Sequence, residues 1–361
     1  MHYQPTGLLT RGANITSHKQ ASAANVRDVA APALGPSPTR SGANMVLPLA
    51  LAVVLAVAGA LAPSVIQSTL IFTLLNQAAI SAILATSVGF LIRQNGLVSF
   101  GHAAFYGLAG YLIALAVRGH FVSAEMAIGI AVVVPTLLAF GLGLIFIRMV
   151  GVAFSMLTLA VAQGFYELFM RWRGLANGED GLRVDFPPYI FGIHTTMFQD
   201  AGTMFVACWL VLVLVVFGIY ILSRSHFGTL TLAIRENEER VRFLGYATVY
   251  PRAIVYAISA FIASLAGVLF TLYNGFVTPD ILNWSLSGEV MIMAIIGGTR
   301  SVWGPALGAV FFFFLKSSIG DVTDHWPAIV GGLLIVVVLV MPRGLSGLVT
   351  LAKVKFGGSE S

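Results

Sequence analysis

Between residues 204 and 222 the chain reads MFVACWLVLVLVVFGIYIL, nineteen consecutive residues without a charge. A hydrocarbon core about 30 Å thick takes about 20 apolar residues to cross as an α-helix, since each residue rises about 1.5 Å. Lipid also offers no hydrogen bonds to unpaired backbone groups, so a helix is the expected conformation. The stretch therefore predicts a transmembrane helix. It is soon followed by LAIRENEERVRFLGY, residues 232–246, whose charges place the chain outside the membrane again.

The composition extends this prediction to the whole chain. With 58% hydrophobic residues and a mean hydropathy of +0.90, the 361 residues carry too few polar side chains to cover a soluble globule. The net charge of +5 does not indicate a nucleic-acid partner, because the basic residues lie mostly in short loops between apolar runs, where they act as orientation signals. Cys208 is the single cysteine, so neither an intramolecular disulfide nor a thiolate metal cluster is expected.

Ten apolar runs are candidates for membrane spans, and they predict an all-α polytopic integral membrane protein with about ten transmembrane helices, some of them short or interrupted. The transmembrane domain would occupy residues 45–350, between a disordered tail at residues 1–44 and a second tail at residues 351–361. Whether the shortest run, 286–297, crosses fully is open. The runs are residues 45–63, 67–91, 97–117, 124–147, 152–170, 201–222, 253–273, 286–297, 303–320 and 326–341.

The arginine and lysine positions predict the orientation. With the N-terminus in the cytoplasm, most basic residues between spans fall on the cytoplasmic side, as the positive-inside rule requires, and the C-terminus is cytoplasmic too. Residues 224–252, called the charged loop below, then form the longest cytoplasmic loop between spans. Residues 171–200 form the largest external loop, called the external loop below. It would be either a face for an extracytoplasmic binding protein or a solvated loop.

The charged loop contains a predicted amphipathic helix. Its apolar face would consist of Leu230, Ile234, Asn237, Val241 and Leu244. On the other faces, Glu236 would pair with Arg240 and Glu238 with Arg242, and Gly245 would end the helix. A helix in water must bury such a stripe, either against the protein's own membrane helices or against a cytoplasmic partner, and the spacing allows both.

Six motifs follow one another along the chain. They are NGLVSFGHAAFYGLAGY (95–111), GVAFSMLTLAVAQ (151–163), NGEDGL (177–182), AIRENEERVRFLGY (233–246), SGEVMIMAIIGGTRSVWGPALGA (287–309) and PRGLSGL (342–348). In this order they resemble the permease subunits of ABC importers of the branched-chain amino acid family, and specifically the M-type subunit. The resemblance covers nearly all of the chain after the N-terminal tail.

The resemblance implies partners and a mechanism. In a bacterial inner membrane the chain would pair with a second permease subunit of the H type and with two ATPase subunits, and an extracytoplasmic binding protein would deliver the solute. Leucine, isoleucine and valine would be the solutes, with urea, short amides and aromatic acids as alternatives. The residues that the resemblance assigns to coupling with the ATPase are Leu230, Ile234, Arg235, Glu236, Asn237, Val241, Leu244 and Gly245.

ATP chemistry is expected outside this chain. The sequence contains no G-x-x-x-x-G-K-[ST] loop to bind phosphates, so Mg-ATP would bind to the partner subunits, and no cofactor or catalytic residue is expected here. A stand-alone secondary transporter or channel would place paired ionisable residues within its spans. A membrane enzyme would need a cluster of reactive groups or metal ligands. Both classes are weaker alternatives, because the sequence offers neither pattern.

Small and polar residues in two interrupted regions, 97–117 and 286–310, are candidates for a translocation pathway, together with Gln163 of the run 152–170. The reason is that irregular backbone persists in a membrane only where it lines a cavity or is covered by protein. The glycines would equally serve helix packing alone. For His102 a structural hydrogen bond is favoured over chemistry. The candidates are Ser99, Gly101, His102, Gly107, Gln163, Glu289, Gly297, Gly298, Gly304 and Pro305.

Other polar residues in the apolar runs have two interpretations each. Glu167 and Glu289 are expected near the outer ends of their spans, where they would reach toward water or pair with Arg171 or Arg173. Four amide side chains would either face the solute or bond across helices, and the sequence allows both: Gln67, Asn76, Gln77 and Gln163.

Overall fold

The computed structural model describes most of the predicted transmembrane domain. The N-terminal tail up to residue 42, the C-terminal tail and most of the predicted span 326–341 lie outside the described residues. Residues from Pro48 onward form one compact unit. The described residues are 43–66, 68–119, 122–149, 151–320, 328–329, 331–332, 335 and 344–347.

Nine apolar helices lie in the described part of the chain, each on one of the predicted runs, which confirms the all-α polytopic membrane fold. Six have the length and composition to cross a membrane: α1 (Ala43–Val65), α2 (Thr69–Asn95), α4 (Ala124–Phe146), α5 (Val152–Arg171), α8 (Ala201–Arg224) and α11 (Val249–Asn274). Three are shorter: α3 (His102–Arg118), α12 (Trp284–Gly297) and α13 (Gly304–Gly320).

The two long loops contain short elements. The charged loop contains α9 (His226–Glu236) and α10 (Glu238–Phe243). In the external loop β2 and β3 form a hairpin, while β1 pairs antiparallel with β4 (Phe276–Val277), which follows α11. A 3-10 turn, Pro279–Leu282, then leads into α12. The remaining elements of the external loop are α6 (Arg173–Ala176), a 3-10 turn (Gly178–Asp180), β1 (Leu182–Arg183), β2 (Tyr189–Ile190), β3 (Ile193–His194) and α7 (Thr196–Gln199).

Helices α2 and α11 lie at the centre of the bundle. In their most apolar windows 78% and 72% of the residues are buried, against 22% in α4 and in α5, and 6% in α1. Helix α11 packs against α2, α3 and α4, and α2 also packs against α8 and α13. The outer helices therefore have exposed apolar faces, which lipid or another membrane subunit would cover.

Two amide side chains of α2 bond across helices. Asn76 Nδ2 donates to the carbonyl of Ala201 at the start of α8 (2.8 Å), and Gln77 Nε2 donates to Asn274 Oδ1 at the end of α11 (3.4 Å). Since water does not compete in the bilayer core, such bonds help to specify helix pairing. Gln67 lies outside the described residues. Of the two interpretations of Asn76 and Gln77, contact with the solute or hydrogen bonds across helices, the structure thus contains the second.

Candidate functional site

The first predicted pathway region, residues 97–117, begins with an interruption. Helix α2 ends at Asn95, and Gly96 adopts a left-handed conformation (φ 67°) that favours glycine. Residues 97–101 are not helical, and α3 begins only at His102. The predicted span 97–117 is therefore helical only from its sixth residue.

His102 shows how deep α3 begins. Its Nε2 lies 2.7 Å from Ser259 Oγ on α11, and the Ser259 hydroxyl donates to the carbonyl of Ser87 on α2 (2.6 Å). Ser87 precedes the end of α2 at Asn95 by about 12 Å along the helix axis, at a rise of about 1.5 Å per residue. The segment 97–101 thus folds back along α2, and α3 begins inside the membrane rather than at its edge.

The hydrogen-bonding pattern also defines the His102 tautomer. The Ser259 hydroxyl uses its one hydrogen on Ser87, so it must accept from His102 Nε2–H. His102 is fully buried, and its ring meets those of Phe105 and Tyr256 edge to face. The side chain therefore makes a structural hydrogen bond that joins α3 to α11, as the sequence favoured.

Hydroxyl side chains satisfy the backbone of the segment that folds back. Backbone N–H and C=O groups in a membrane need protein partners, and an irregular segment cannot supply them to itself. The hydrogen bonds, donor first, are Ser155 Oγ to Val98 O (2.7 Å), Phe100 N to Thr158 Oγ1 (3.1 Å), Gly101 N to Ser99 Oγ (3.1 Å) and Ala103 N to Ser287 Oγ (2.8 Å).

The start of α12 meets the start of α3. Ser287, which binds Ala103 N, lies in the first turn of α12, and Trp284 packs edge to face on Phe100 with 6.4 Å between ring centroids. Both contacts join helix N-termini, which carry partial positive charge. This part of the membrane interior therefore favours a carboxylate over a cation. Ser99 and Gly101 are buried, so the region is closed in this structure.

Most candidate glycines lie against neighbouring backbone or side chains. A methyl group on Gly297 would overlap the carbonyl of Gly304, and one on Gly304 would overlap the carbonyl of Gly298. Pro305 fills the space beside Gly89, and a Cβ on Gly107 would lie 2.7 Å from Leu282 Cδ2. These contacts account for the glycines by helix packing. Their role in a pathway stays a prediction.

The two membrane glutamates have different partners. Glu167 pairs with Arg171 one turn along α5 (3.0 Å) and accepts from Gln163 Nε2 (3.3 Å), as expected for an outer helix end. Glu289 pairs with Lys316 on α13 (2.7 Å), so the expected pairing of Glu289 with Arg171 or Arg173 is wrong. The reason is geometric: α12 and α13 pack side by side, which brings residues 27 positions apart together.

The charged loop is not one helix. Asn237 has extended backbone angles (φ −156°, ψ 93°) and divides α9 from α10, while its Oδ1 accepts from Arg240 N (2.9 Å). Asparagine favours this N-cap role because its side chain competes with helical hydrogen bonds. The predicted continuous stripe is therefore wrong. The predicted end is confirmed, since α10 stops at Phe243 and Gly245 has a positive φ of 87°.

One apolar side chain on each of α9 and α10 is buried within the protein itself. Ile234 and Val241 are 2% and 6% exposed, and Leu230 is half-buried. Helix α9 lies against α2, α8 and α11. Of the two sequence-based alternatives, the contact with the protein's own membrane helices is the one that the structure contains for Ile234 on α9. Val241 on α10 is buried within the chain as well.

Polar contacts attach the charged loop to the ends of the membrane helices. Glu238 pairs with Arg252 rather than with Arg242, the partner expected from its spacing. The other bonds, donor first, are Arg235 Nη1 to Arg93 O (2.7 Å), Thr231 Oγ1 to Gln94 Oε1 (2.9 Å), Gln94 Nε2 to Ser223 Oγ (3.2 Å), Thr248 Oγ1 to Glu238 Oε1 (2.8 Å) and Asn95 Nδ2 to Arg252 O (2.9 Å).

Comparison with known proteins identifies the family of the chain. Residues 70–340 match the model of the family described as branched-chain amino acid transport system, permease component. The chain belongs to this family. The matched residues include both interrupted regions and the charged loop, so these features lie within the part of the chain that the family model describes.

Several curated permeases are similar to this chain. The branched-chain amino acid permease protein LivM of Salmonella typhimurium is 24% identical over 283 residues, which cover 73% of this chain and 67% of the relative. The corresponding LivH of Escherichia coli is 24% identical, covering 76% and 93%. The ribose import permease protein RbsC of Haemophilus influenzae is 22% identical, covering 80% and 90%. No solved structure matches. The relatives are transport permeases rather than enzymes.

Sequence reasoning missed an exposed apolar group on this permease. Phe243, Leu244, Tyr246 and Tyr250 are 89%, 71%, 57% and 61% exposed, and all lie within the charged loop. Only Leu244 was among the predicted coupling residues, because the others were not on the face of the predicted helix. The available signal was three aromatic residues grouped around the helix stop at Gly245, directly after the charged residues 235–242.

Two cavities lie at the opposite end of the permease. They have volumes of about 590 and 350 Å³, and both are lined by Arg183 and Asp185 of the external loop. The larger also contacts Asn274 and Phe276 after α11, and the smaller contacts Arg118 at the end of α3. The cavities therefore open beside the external loop and not between the predicted pathway residues.

Proposed function

We propose that this chain is the permease subunit of a bacterial ABC importer for branched-chain amino acids. It pairs with a second permease subunit of the H type and with two ATPase subunits that bind and hydrolyse Mg-ATP, and an external binding protein delivers the solute. The family match over residues 70–340 carries the proposal. The exposed apolar group of the charged loop supports a cytoplasmic partner.

The interior geometry favours an amino acid over a sugar. The N-termini of α3 and α12 meet inside the membrane, and their partial positive charges favour a carboxylate, which an amino acid has and ribose lacks. Aromatic acids share the carboxylate and remain compatible, whereas urea and short amides lack it. The relatives LivM and LivH are named for branched-chain amino acid transport, so we propose leucine, isoleucine and valine, the amino acids of that class, as the solutes.

The orientation follows from the positive-inside rule. Arg93, Arg235 and Arg252 all lie at the end of the bundle that carries the charged loop, where Arg235 Nη1 donates to the carbonyl of Arg93 and Asn95 Nδ2 donates to the carbonyl of Arg252. We place this end, and both termini, in the cytoplasm. The external loop and its two cavities then lie on the side from which a binding protein approaches.

The contact with the ATPase is centred on Phe243 and Leu244. These side chains are exposed at the end of α10, whereas Ile234 and Val241 support the loop from behind by packing on the permease. Exposed apolar side chains of this size in a cytosolic loop are expected at a protein contact. Leu244 and Gly245 thus remain in the predicted coupling set, and Phe243 joins it.

The test replaces Leu244 by glutamate. The side chain is 71% exposed, so the change leaves the isolated permease folded, but docking would desolvate an unpaired carboxylate at a cost of about 3–5 kcal/mol. That cost weakens assembly by about two to three orders of magnitude. Leu244→Glu should therefore release the ATPase subunits in a detergent pull-down and abolish uptake.

The control is Glu239→Gln, an exposed position on α10 where the removal of a charge should alter the pull-down little. Normal ATPase retention and normal leucine uptake in Leu244→Glu would rule out this docking surface.

Uptake of leucine by the assembled complex, competed with ribose, acetamide and an aromatic acid, tests the solute class. Isoleucine is the positive control for competition. Competition by ribose but not by isoleucine would refute an amino-acid importer.

A further inference from the structure

We infer that Glu238 and Arg252 form a positioning pair that fixes the charged loop to α11, so that a displacement of the loop is transmitted along α11 to the start of α3. The inference rests on the proposed function, because it takes the ATPase subunits as the source of the displacement. It assigns a role to an ion pair that is not on the exposed docking surface. The pair is also not at the interior site, by which we mean the start of α3 at Gly101 and His102, where it meets the start of α12.

The pair is well suited to hold a fixed geometry. Arg252 Nη1 lies 2.7 Å from Glu238 Oε2, and the side chains are 9% and 36% exposed. Glu238 also accepts from Thr248 Oγ1 (2.8 Å), so the carboxylate has two donors from the N-terminal end of α11. Among the ion pairs of the described residues, no other includes a side chain as buried as Arg252. Charge-assisted bonds in such surroundings are short and directional.

Apolar packing alone would not define the position of the loop. Ile234 is buried on α9, which lies against the membrane helices, but hydrophobic contacts are non-directional and permit sliding. A second directional contact lies on α2, where Arg235 Nη1 donates to the carbonyl of Arg93 (2.7 Å). Asn95 Nδ2 in turn donates to the carbonyl of Arg252 (2.9 Å). The loop, the end of α2 and the start of α11 are thus held as one unit.

One face of α11 continues from this unit to the interior site. Arg252, Tyr256 and Ser259 follow one another at helical spacing on that face. The Tyr256 hydroxyl lies 3.3 Å from the position that a Cβ on Gly101 would occupy, and the Tyr256 ring meets that of His102 at 6.3 Å. Ser259 accepts the hydrogen bond from His102. The side chains that face the loop and those that hold the start of α3 therefore belong to one rigid helix.

A small movement at the loop then has a defined consequence. Packed helices respond to displacement by shifts of about 1–2 Å between discrete arrangements rather than by continuous deformation. A shift of α11 would change the Ser259–His102 contact and with it the position of the N-terminus of α3. The pair thus acts as a positioning element for the pathway, not as a contact to the solute or to ATP.

The test measures solute uptake per ATP hydrolysed in proteoliposomes that contain the complete complex and receive leucine from the binding protein. Glu238→Gln should keep the ATPase subunits bound and ATP hydrolysis active, while uptake per ATP falls by at least about tenfold, since the loss of one charge leaves the other buried and unpaired. Glu239→Gln is the matched control, one residue away and exposed, and should couple as the unsubstituted complex does. The exchanged pair E238R with R252E should recover much of the lost coupling.

The outcomes separate this inference from the proposed function. If the unsubstituted complex neither retains ATPase subunits nor takes up leucine, the proposed function fails and the inference fails with it. If that complex works and Glu238→Gln shows an unchanged ratio of uptake to hydrolysis, only the inference is overturned. Should Glu238→Gln not fold, Glu238→Asp replaces it, because it keeps the charge but withdraws the carboxylate by one methylene. An unchanged ratio in Glu238→Asp would equally overturn the inference.

Discussion

The charged loop and the external loop, at opposite ends of the bundle, are similar in length but differ in how they are attached. In the charged loop, the Glu238–Arg252 pair includes an arginine that is 9% exposed, and side chains bond to the ends of α2 and α11. In the external loop, Arg183 and Asp185 are 84% and 88% exposed and 3.5 Å apart. The external loop is joined to α11 mainly by its backbone, as in the bond from Val184 N to Gly275 O (2.9 Å).

The difference shows that the number of charges in a loop does not indicate what they do. An exposed pair contributes little because water screens it, whereas removal of one partner of a desolvated pair leaves an unpaired charge behind. We therefore expect substitutions in the charged loop to have large effects and substitutions of the external ion pair to have small ones.

The largest effect is expected for Ile234→Glu. The side chain is 2% exposed among the protein's own helices, so the substitution buries a carboxylate without a partner, at a cost of about 3–5 kcal/mol. The yield of monodisperse permease in detergent should fall sharply, while Leu244→Glu, an equal change at an exposed position, should leave it unaltered. A normal yield of Ile234→Glu would contradict the packing of α9 on the membrane helices.

A smaller loss is expected for Arg252→Met. The substitution removes the donor that Glu238 accepts from at 2.7 Å, but Glu238 is 36% exposed and regains some hydration. We expect a loss of about 2 kcal/mol, below the range for a fully buried pair, seen as a lower melting temperature of the purified permease. If Arg252→Met has the same melting temperature as the unsubstituted protein, the ion pair does not fix the loop.

A loss of about 1 kcal/mol is expected for Asp200→Ala, which removes the N-cap of α8 at the edge of the external loop. The Asp200 carboxylate accepts from Thr203 N (2.8 Å) and from the Thr203 hydroxyl (2.9 Å), which lowers the pKa of its carboxyl group. Because the folded pKa is the lower one, this stabilisation is present above the unfolded pKa and is lost as the pH falls through the folded pKa.

The stability difference between Asp200→Ala and the unsubstituted permease should therefore shrink in acid. Thermal unfolding in detergent, measured from neutral pH downward, provides the check. A difference that grows as the pH falls would have the wrong sign for a cap formed by the ionised carboxylate.

The smallest effect is expected for Arg183→Ala. Both partners of the Arg183–Asp185 pair are more than 80% exposed, so the melting temperature should change by the equivalent of at most about 0.5 kcal/mol. A loss as large as that of Arg252→Met would remove the distinction between the two loops. Arg183 also lines both external cavities, so binding-protein-dependent uptake is a separate readout for this variant.

Much of the bundle was predictable because its requirements are local. The end of α10 at Gly245 and the pair Glu167–Arg171, one helical turn apart, both follow from neighbours in sequence. The contacts at the start of α3 could not be predicted, and the pathway role of its residues stays a prediction. Ser99, Gly101 and His102 were candidates, but the partners that hold them, Thr158 and Ser259, belong to other helices and gave no signal in the sequence.

The sequence by itself determined that the chain lies in a membrane, which runs form the nine apolar helices of the described residues, and which family the chain belongs to. Each span must satisfy its own backbone within lipid and cover a fixed thickness at a fixed rise per residue, so its existence depends only on its own residues. The tertiary structure decided which faces are buried and which charges meet. Glu238 pairs with Arg252 and not with Arg242, and Glu289 pairs with Lys316. An ion pair forms between groups that the packing of the helices brings close together, whatever their separation along the chain.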